Sequence, residues 1–342
     1  MKALRTRSGL SVRVDLRALV VGGLLLAVAL AASIVLIGTG DFSIPAADVI
    51  RTLLGNGQPA HEFIVNDLRL PRVLVGLLVG AALGLSGAIF QTISRNPLGS
   101  PDIIGFGQGS AVGALAVIIL FKGSAGEVAV GSLIGGLITG AVIYALAWKR
   151  GVHGYRLVLV GIGMAAILTA VIGYLLTKAE LVDAARAYTW LAGSLNGRDW
   201  AEVWPLFWLC VVLVPLALLY ARPLRMLEMG DDVAYALGVR VERTRLVLMT
   251  CAVLLTAAAT AAAGPVSFVA LTAPQLARRL TRSPGANLVP SMLMGAALLI
   301  VADLASQRAF GADTLPVGVL TGVLGGVYLL WLLATERKAG RI

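Results

Sequence analysis

The feature that most constrains this chain is a series of long apolar runs that carry no charged side chain. Ten such runs lie at 18–38, 73–94, 103–121, 128–148, 157–177, 203–221, 246–264, 265–277, 288–302 and 315–335. A helix needs roughly 20 apolar residues to cross the hydrocarbon core of a bilayer, and most of the runs approach that length. In hydrocarbon every backbone N–H and C=O must be paired within the protein, which leaves helices or a closed barrel. These runs are far longer than barrel strands. With 58% hydrophobic and 13% charged residues, the chain also lacks the polar surface of a soluble domain. The expected fold is an all-α integral membrane bundle, a single domain over residues 1–342.

The net charge of +10 sits in short clusters between the runs, with few aromatics among them. Positive-inside topology explains this pattern, and a nucleic-acid partner is not indicated. Lys2, Arg5, Arg7, Arg13 and Arg17 ahead of a stretch containing Ala29-Leu30-Ala31 imitate a secretory signal. The apolar run that follows is long enough to span, so it reads as the first membrane helix. The 13-residue run Pro265 to Ala277 is too short to cross upright and is either re-entrant or a crossing. With ten crossings, Lys and Arg number 20 inside and 8 outside; without the short one they number 15 and 13. The first tally obeys the positive-inside rule, so ten crossings are expected, with both termini cytoplasmic and Arg337, Lys338 and Arg341 in the last tail. The external stretch Thr39 to Arg72, with Pro45 and Pro59, suggests short interfacial helices.

The runs contain no Asp, Glu, Lys, Arg or His, although such residues mark most proton relays and many ion-coupled transporters. A proton-driven antiporter is therefore disfavoured. His61 and His153 fall in loops on opposite sides and build no metal site. Cys210 and Cys251 lie inside apolar runs and read as small core residues. No catalytic dyad, phosphate loop or zinc motif is found, so catalytic and metal residues are expected to be none. A solute carrier with an external energy source remains. Gly76, Gly80, Gly84 and Gly87 on the second run are spaced for close helix packing, or for helices that slide during transport.

An external energy source needs a docking surface. The cytoplasmic stretch RPLRMLEMGDDVAYALGVRVERTR, 222–245, contains a short helix around Met229 to Gly238. Asp231 and Asp232 suit its positive N-terminal end, Gly238 suits its termination, and Val233, Ala234 and Leu237 offer an apolar face. From composition alone this is a docking helix or an ordinary interfacial one. The loop from Ser94 to Asp102, rich in Pro, Gly and Asn, is a turn by mechanism and is either a tight connector or part of a gate.

At these loops the chain resembles the FecCD family of permeases in type II ABC importers. The blocks are LRLPR at 68–72, VGAALGLSGAIFQ at 79–91, RNPLGSPDIIGF at 95–106, AGSLNG at 192–197, ALGV at 236–239, and Ala302-Asp303 followed by LPVGVLTGVLGG at 315–326. Within the family, MGDDVAYALGVRVERTRL, AGSLNGRDWA and AAATAAAGPVSFVAL resemble most the branch that imports ferric enterobactin through two non-identical permeases.

The resemblance implies a ten-transmembrane-helix bundle of the type II importer, vitamin B12 permease-like fold in the bacterial inner membrane. It implies a homologous permease partner, most simply as a heterodimer, two ATPase subunits, and a periplasmic or lipid-anchored siderophore-binding protein. ATP and Mg would bind the partner ATPase, with no cofactor on this chain and no catalysis by it. Residues 229–240 would be the coupling helix, with Gly230, Asp231, Asp232, Val233, Ala234, Ala236, Leu237 and Gly238 at the ATPase contact. Arg69 and Arg72 match the external motif that pairs with acidic residues of the binding protein, against the plainer reading of headgroup anchoring. Asn96 and Leu98 match the cytoplasmic gate, against simple turn structure. Where the family has Pro-His, this chain has Pro274-Gln275, which bonds but cannot become cationic. The implied cargo is a ferric catecholate siderophore such as ferric enterobactin. Vitamin B12 or haem import and an ATP-independent secondary transporter are the alternatives.

Overall fold

A computed structural model describes residues 2–5, 11–40, 42–149, 154–283, 285–308 and 315–338. Arg7, His153 and Arg341, named above, lie outside the described residues. A two-stranded antiparallel ribbon, β1 (Lys2–Arg5) and β2 (Ser11–Val14), precedes the bundle, which is otherwise helical. The helices are α1 (Leu16–Gly38), α2 (Ala46–Leu53), α3 (Pro59–Glu62), α4 (Leu70–Ser94), α5 (Pro101–Ile104), α6 (Phe106–Leu120), α7 (Ala125–Ala147) and α8 (Gly154–Lys178). They continue as α9 (Leu181–Leu191), α10 (Trp200–Leu219), α11 (Ala221–Leu227), α12 (Asp231–Ala236), α13 (Val241–Ala263), α14 (Val269–Thr281), α15 (Leu288–Arg308) and α16 (Val317–Lys338). A π-helical turn, Phe63–Arg69, joins α3 to α4.

Each of the ten apolar runs is helical, but not all at spanning length. Seven helical stretches are long and apolar enough to cross a membrane: α1, the continuous Pro59–Ser94, α7, α8, α10, α13 and α15. The helix α6 and the stretch Val317–Trp331 of α16 are apolar but shorter, and α14 has 13 residues. The stretch from Thr39 to Arg72 holds the expected short helices, α2 and α3.

The short eighth run has a physical explanation. After α13, Gly264 takes a φ of 74°, and Phe268 takes a φ of 66° at the start of α14, so residues 264–268 leave the helical path. A Cβ on Gly264 would sit 2.5 Å from the Trp190 carbonyl oxygen, so the turn also needs the missing side chain. The far end of α14 meets the first turn of α1, where Arg17 Nε donates to Leu280 O at 2.8 Å. Thus α14 leads the chain back to the end of the bundle at which α1 begins, using a non-helical stretch plus a helix of about 20 Å. Pro274 inside α14 removes one ladder donor.

The core is built on α4, which packs against α15, α13, α14 and α10. Most of α4 is buried, whereas little of α8 is. The glycines expected to allow close packing do so. A Cβ on Gly80 or Gly84 would overlap the backbone of Gly295 or Ser291 on α15, and one on Gly87 would overlap Ala270 on α14. Such approach lets dispersion hold helices together where apolar burial alone offers little drive. Cys210 and Cys251 are free and buried in this core.

Candidate functional site

Two polar constellations lie at opposite ends of α4. Arg72 begins the helix and Arg95 caps its end, roughly 35 Å apart at 1.5 Å per residue.

At the Arg95 end, α12 is a six-residue helix entered through Gly230, φ 116°, and left through Gly238, φ 81°. It is shorter than the expected 229–240 because both glycines break the helical path. The apolar face expected of Val233, Ala234 and Leu237 is divided. Ala234 is fully buried against Leu227 and Val241, whereas Val233, Tyr235 and Leu237 are 45%, 77% and 57% exposed. Met229 joins the exposed set, and Asp232 and Ala236 are also at the surface. Beside the helix, burial pushes the Glu228 carboxyl up, opposed by Arg278 and Arg225.

Asp231 points back into the protein. Its Oδ1 accepts from Arg95 Nη2 at 2.6 Å, and both its oxygens accept from Arg245 Nη2 at 3.0 Å. Arg245, read from sequence as part of the loop, lies within α13 with a side chain 4% exposed, and its Nη1 donates to Glu242 Oε1 at 3.2 Å. A buried guanidinium needs such partners, because desolvation is otherwise uncompensated.

Arg95 adopts the left-handed conformation, φ 51°, and turns the chain into the 96–100 loop. Asn96 Oδ1 accepts from Leu98 N at 2.9 Å, an Asx turn, and Leu98 is 38% exposed. Gln275 Nε2 donates to Pro97 O at 2.8 Å and to Gln91 Oε1 at 2.9 Å, while Gln91 Nε2 donates to Leu271 O. The loop holding Asn96 and Leu98 is thereby fastened to α14 by Gln275 and to α12 by Arg95.

At the other end, the two arginines of the LRLPR block are engaged within the chain. Arg69 donates to Ile37 O and Phe42 O at 2.6 Å each, closing the turn after α1. Arg72 makes a bidentate pair with Asp303, Nε to Oδ2 at 2.9 Å and Nη2 to Oδ1 at 2.7 Å, and reaches Asn196 Oδ1 at 3.3 Å. The Asp303 side chain is 1% exposed. The apolar runs are free of charge as drawn, but the helices outrun them. Arg72, Arg245 and Asp303 are ionisable groups inside α4, α13 and α15.

Sequence reading missed Arg245, Gln91 and Asp303 as partners. The available signal was position, since Arg245 and Asp303 each sit one residue beyond an apolar run, where a charge must find a counterion or water. Among the described residues no group of three or more His, Cys, Asp or Glu could hold a metal, and His61 lies beside the Phe42 ring at 5.9 Å.

A helical bundle with several spanning helices, a core of glycine-mediated contacts and polar clasps at both ends defines a multi-pass membrane permease. The FecCD transport family model matches residues 24–335, and the chain belongs to that family. It is 46% identical over 300 residues to the ferric enterobactin transport system permease protein FepG of Escherichia coli K12, covering 88% of this chain and 91% of that protein. It is 35% identical over 335 residues to FepD, also a ferric enterobactin transport system permease protein of that organism, covering 95% and 97%. A solved structure described as an inward-facing metal-chelate type ABC transporter superposes with a TM-score of 0.82 at 27% identity, covering 92% of this chain and 99% of that one.

Proposed function

We propose that this chain is the permease subunit of an ABC importer that carries a ferric siderophore of the catecholate class across the bacterial inner membrane. The observation that carries the reading is the end of the bundle at α12. A short helix presents Val233, Tyr235 and Leu237 to the surroundings, while Asp231 on its first turn grips Arg95 at the end of the central helix. That arrangement suits a lever whose outer face rests on a partner ATPase. The cargo class follows from the likeness to FepG and FepD.

In this mechanism the chain crosses the membrane ten times with both termini in the cytoplasm, consistent with the return of α14 to the α1 end. The partner ATPase binds ATP and Mg and closes against the 229–240 segment. Movement of α12 passes through Asp231 and Arg95 to the loop of Asn96 and Leu98, which gates the cytoplasmic exit. Gln275, a neutral amide, holds that loop against α14 without any change of charge. The second permease is homologous and non-identical, as FepG and FepD are two proteins of one organism. Arg69 and Arg72 serve docking of the binding protein on the outside. Their bonds to Ile37, Phe42 and Asp303 give them a second role in closing the external end.

Deleting the gene and growing cells on single siderophores as sole iron source tests the cargo. Loss of growth confined to ferric catecholates supports the reading. A defect confined to vitamin B12 or haem use overturns it.

A further inference from the structure

We infer that the cavity at the Arg72 end of α4 is a receiving site for a polyanionic, aromatic iron chelate, with Arg186 as its uncommitted charge. The inference rests on the permease reading above and adds a site on this chain for its cargo. The cavity has a volume of about 520 Å³, and Arg72, Arg186, Arg198, Trp190, Thr189 and Asn196 contribute to its wall. That volume is within the range of roughly 300–1,000 Å³ typical of small-molecule sites.

The three guanidiniums are not equivalent. Arg72 is held by Asp303, and Arg198 by Glu202 at 3.5 Å and by the Ser194 carbonyl at 3.2 Å. Arg186 makes no side-chain hydrogen bond or ion pair among the described residues. Asp183, one turn before it on α9, faces Lys122 at 3.9 Å instead. Asp303 and Glu202 offset two of the three charges, so the wall keeps an excess positive charge concentrated at Arg186. Guanidinium forks suit oxyanions arranged in pairs, and catecholate oxygens come in such pairs. Trp190 adds an aromatic surface on which a catechol ring can stack. Thr189 and Asn196 supply neutral polar groups. The chemistry therefore selects an anion with flat rings over a neutral chelate of equal size.

The test uses the whole importer, permease pair with ATPase, in lipid nanodiscs and without its binding protein. Equilibrium binding of iron-labelled ferric enterobactin is compared with that of an uncharged ferric hydroxamate for wild type, Arg186→Gln and Arg186→Lys. Ferric enterobactin is expected to bind wild type, to bind Arg186→Gln about tenfold more weakly at low salt, and to recover partly with Arg186→Lys. The hydroxamate should not distinguish the three. Equal ferric enterobactin binding by wild type and Arg186→Gln overturns the site, as does no binding by wild type. ATP-driven uptake by the wild-type importer in proteoliposomes with its binding protein, measured separately, distinguishes failure of this site from failure of the permease reading.

Discussion

Asp231 and Arg95 are 136 residues apart in sequence, and their side chains meet at 2.6 Å. Both are partly exposed, 34% and 47%, so the bond adds only about 0–1 kcal/mol to stability. In the proposed mechanism its importance is mechanical. It joins the helix that faces outward to the residue that turns α4 into the Asn96–Leu98 loop. Arg95→Gln should leave the folded bundle and its complex with the ATPase intact while raising the ATP hydrolysed per iron delivered by about tenfold. Uptake and phosphate release, measured together in proteoliposomes, check this. An unchanged ratio removes the strut from the mechanism.

Asp231→Asn should do more, because it also strips the buried Arg245 of its closer carboxylate. Only Glu242, 44% exposed, would remain. A loss of roughly 2–4 kcal/mol of stability is expected, visible as a lower melting temperature that Arg95→Gln does not share.

The two sides of α12 should respond differently. Leu237→Asp places a charge on an exposed face and should abolish co-purification of the ATPase with little change in melting temperature. Ala234→Leu forces a larger side chain between Leu227 and Val241 and should cost about 1–3 kcal/mol. Its effect on ATPase binding should follow from displacement of the helix. If both variants bind the ATPase as wild type does, the contact lies elsewhere.

At the other end of the bundle, Asp303→Ala leaves the largely buried Arg72 without its bidentate partner and should destabilise the protein by about 3 kcal/mol. Replacing Arg72 as well should recover part of the loss. Thermal unfolding of the single and double variants in detergent decides this, and additive losses would deny the coupling.

Gly84 has no room for a side chain against Ser291. Gly84→Val should separate α4 from α15 and prevent accumulation of folded protein, whereas Gly107→Ala, where nothing lies within 4 Å of the added carbon, should be tolerated. Fluorescence-detected gel filtration distinguishes the two outcomes.

The helical bundle was legible in the sequence because the need to pair backbone groups in lipid leaves few alternatives, and all ten apolar runs are helical. Span lengths were less legible. Gly264 and Phe268 take positive φ between two helices, and only Gly264 is of a type that announces it. The close approach of α4 to α15 was written in the glycine spacing, although Gly295, its counterpart, carried no such pattern. The 229–240 segment was readable as a short helix, yet which side faces inward was not. Ala234 and Leu237 are both apolar, and only the packing of Leu227 and Val241 separates them. Charge positions fared worst. A run drawn to exclude charge ends just before Asp303 and just after Arg72, so the ion pair that joins α4 to α15 fell in the margins.

The most direct test of the central claim is cargo uptake by the purified permease pair reconstituted into proteoliposomes, with the cargo-loaded binding protein present throughout and with and without the ATPase and ATP. A permease driven through α12 should accumulate iron-labelled ferric siderophore only when the ATPase, ATP and Mg are all supplied, and Leu237→Asp should abolish that uptake. Equal accumulation by the permeases alone would contradict it and make the chain a carrier that needs no coupling helix.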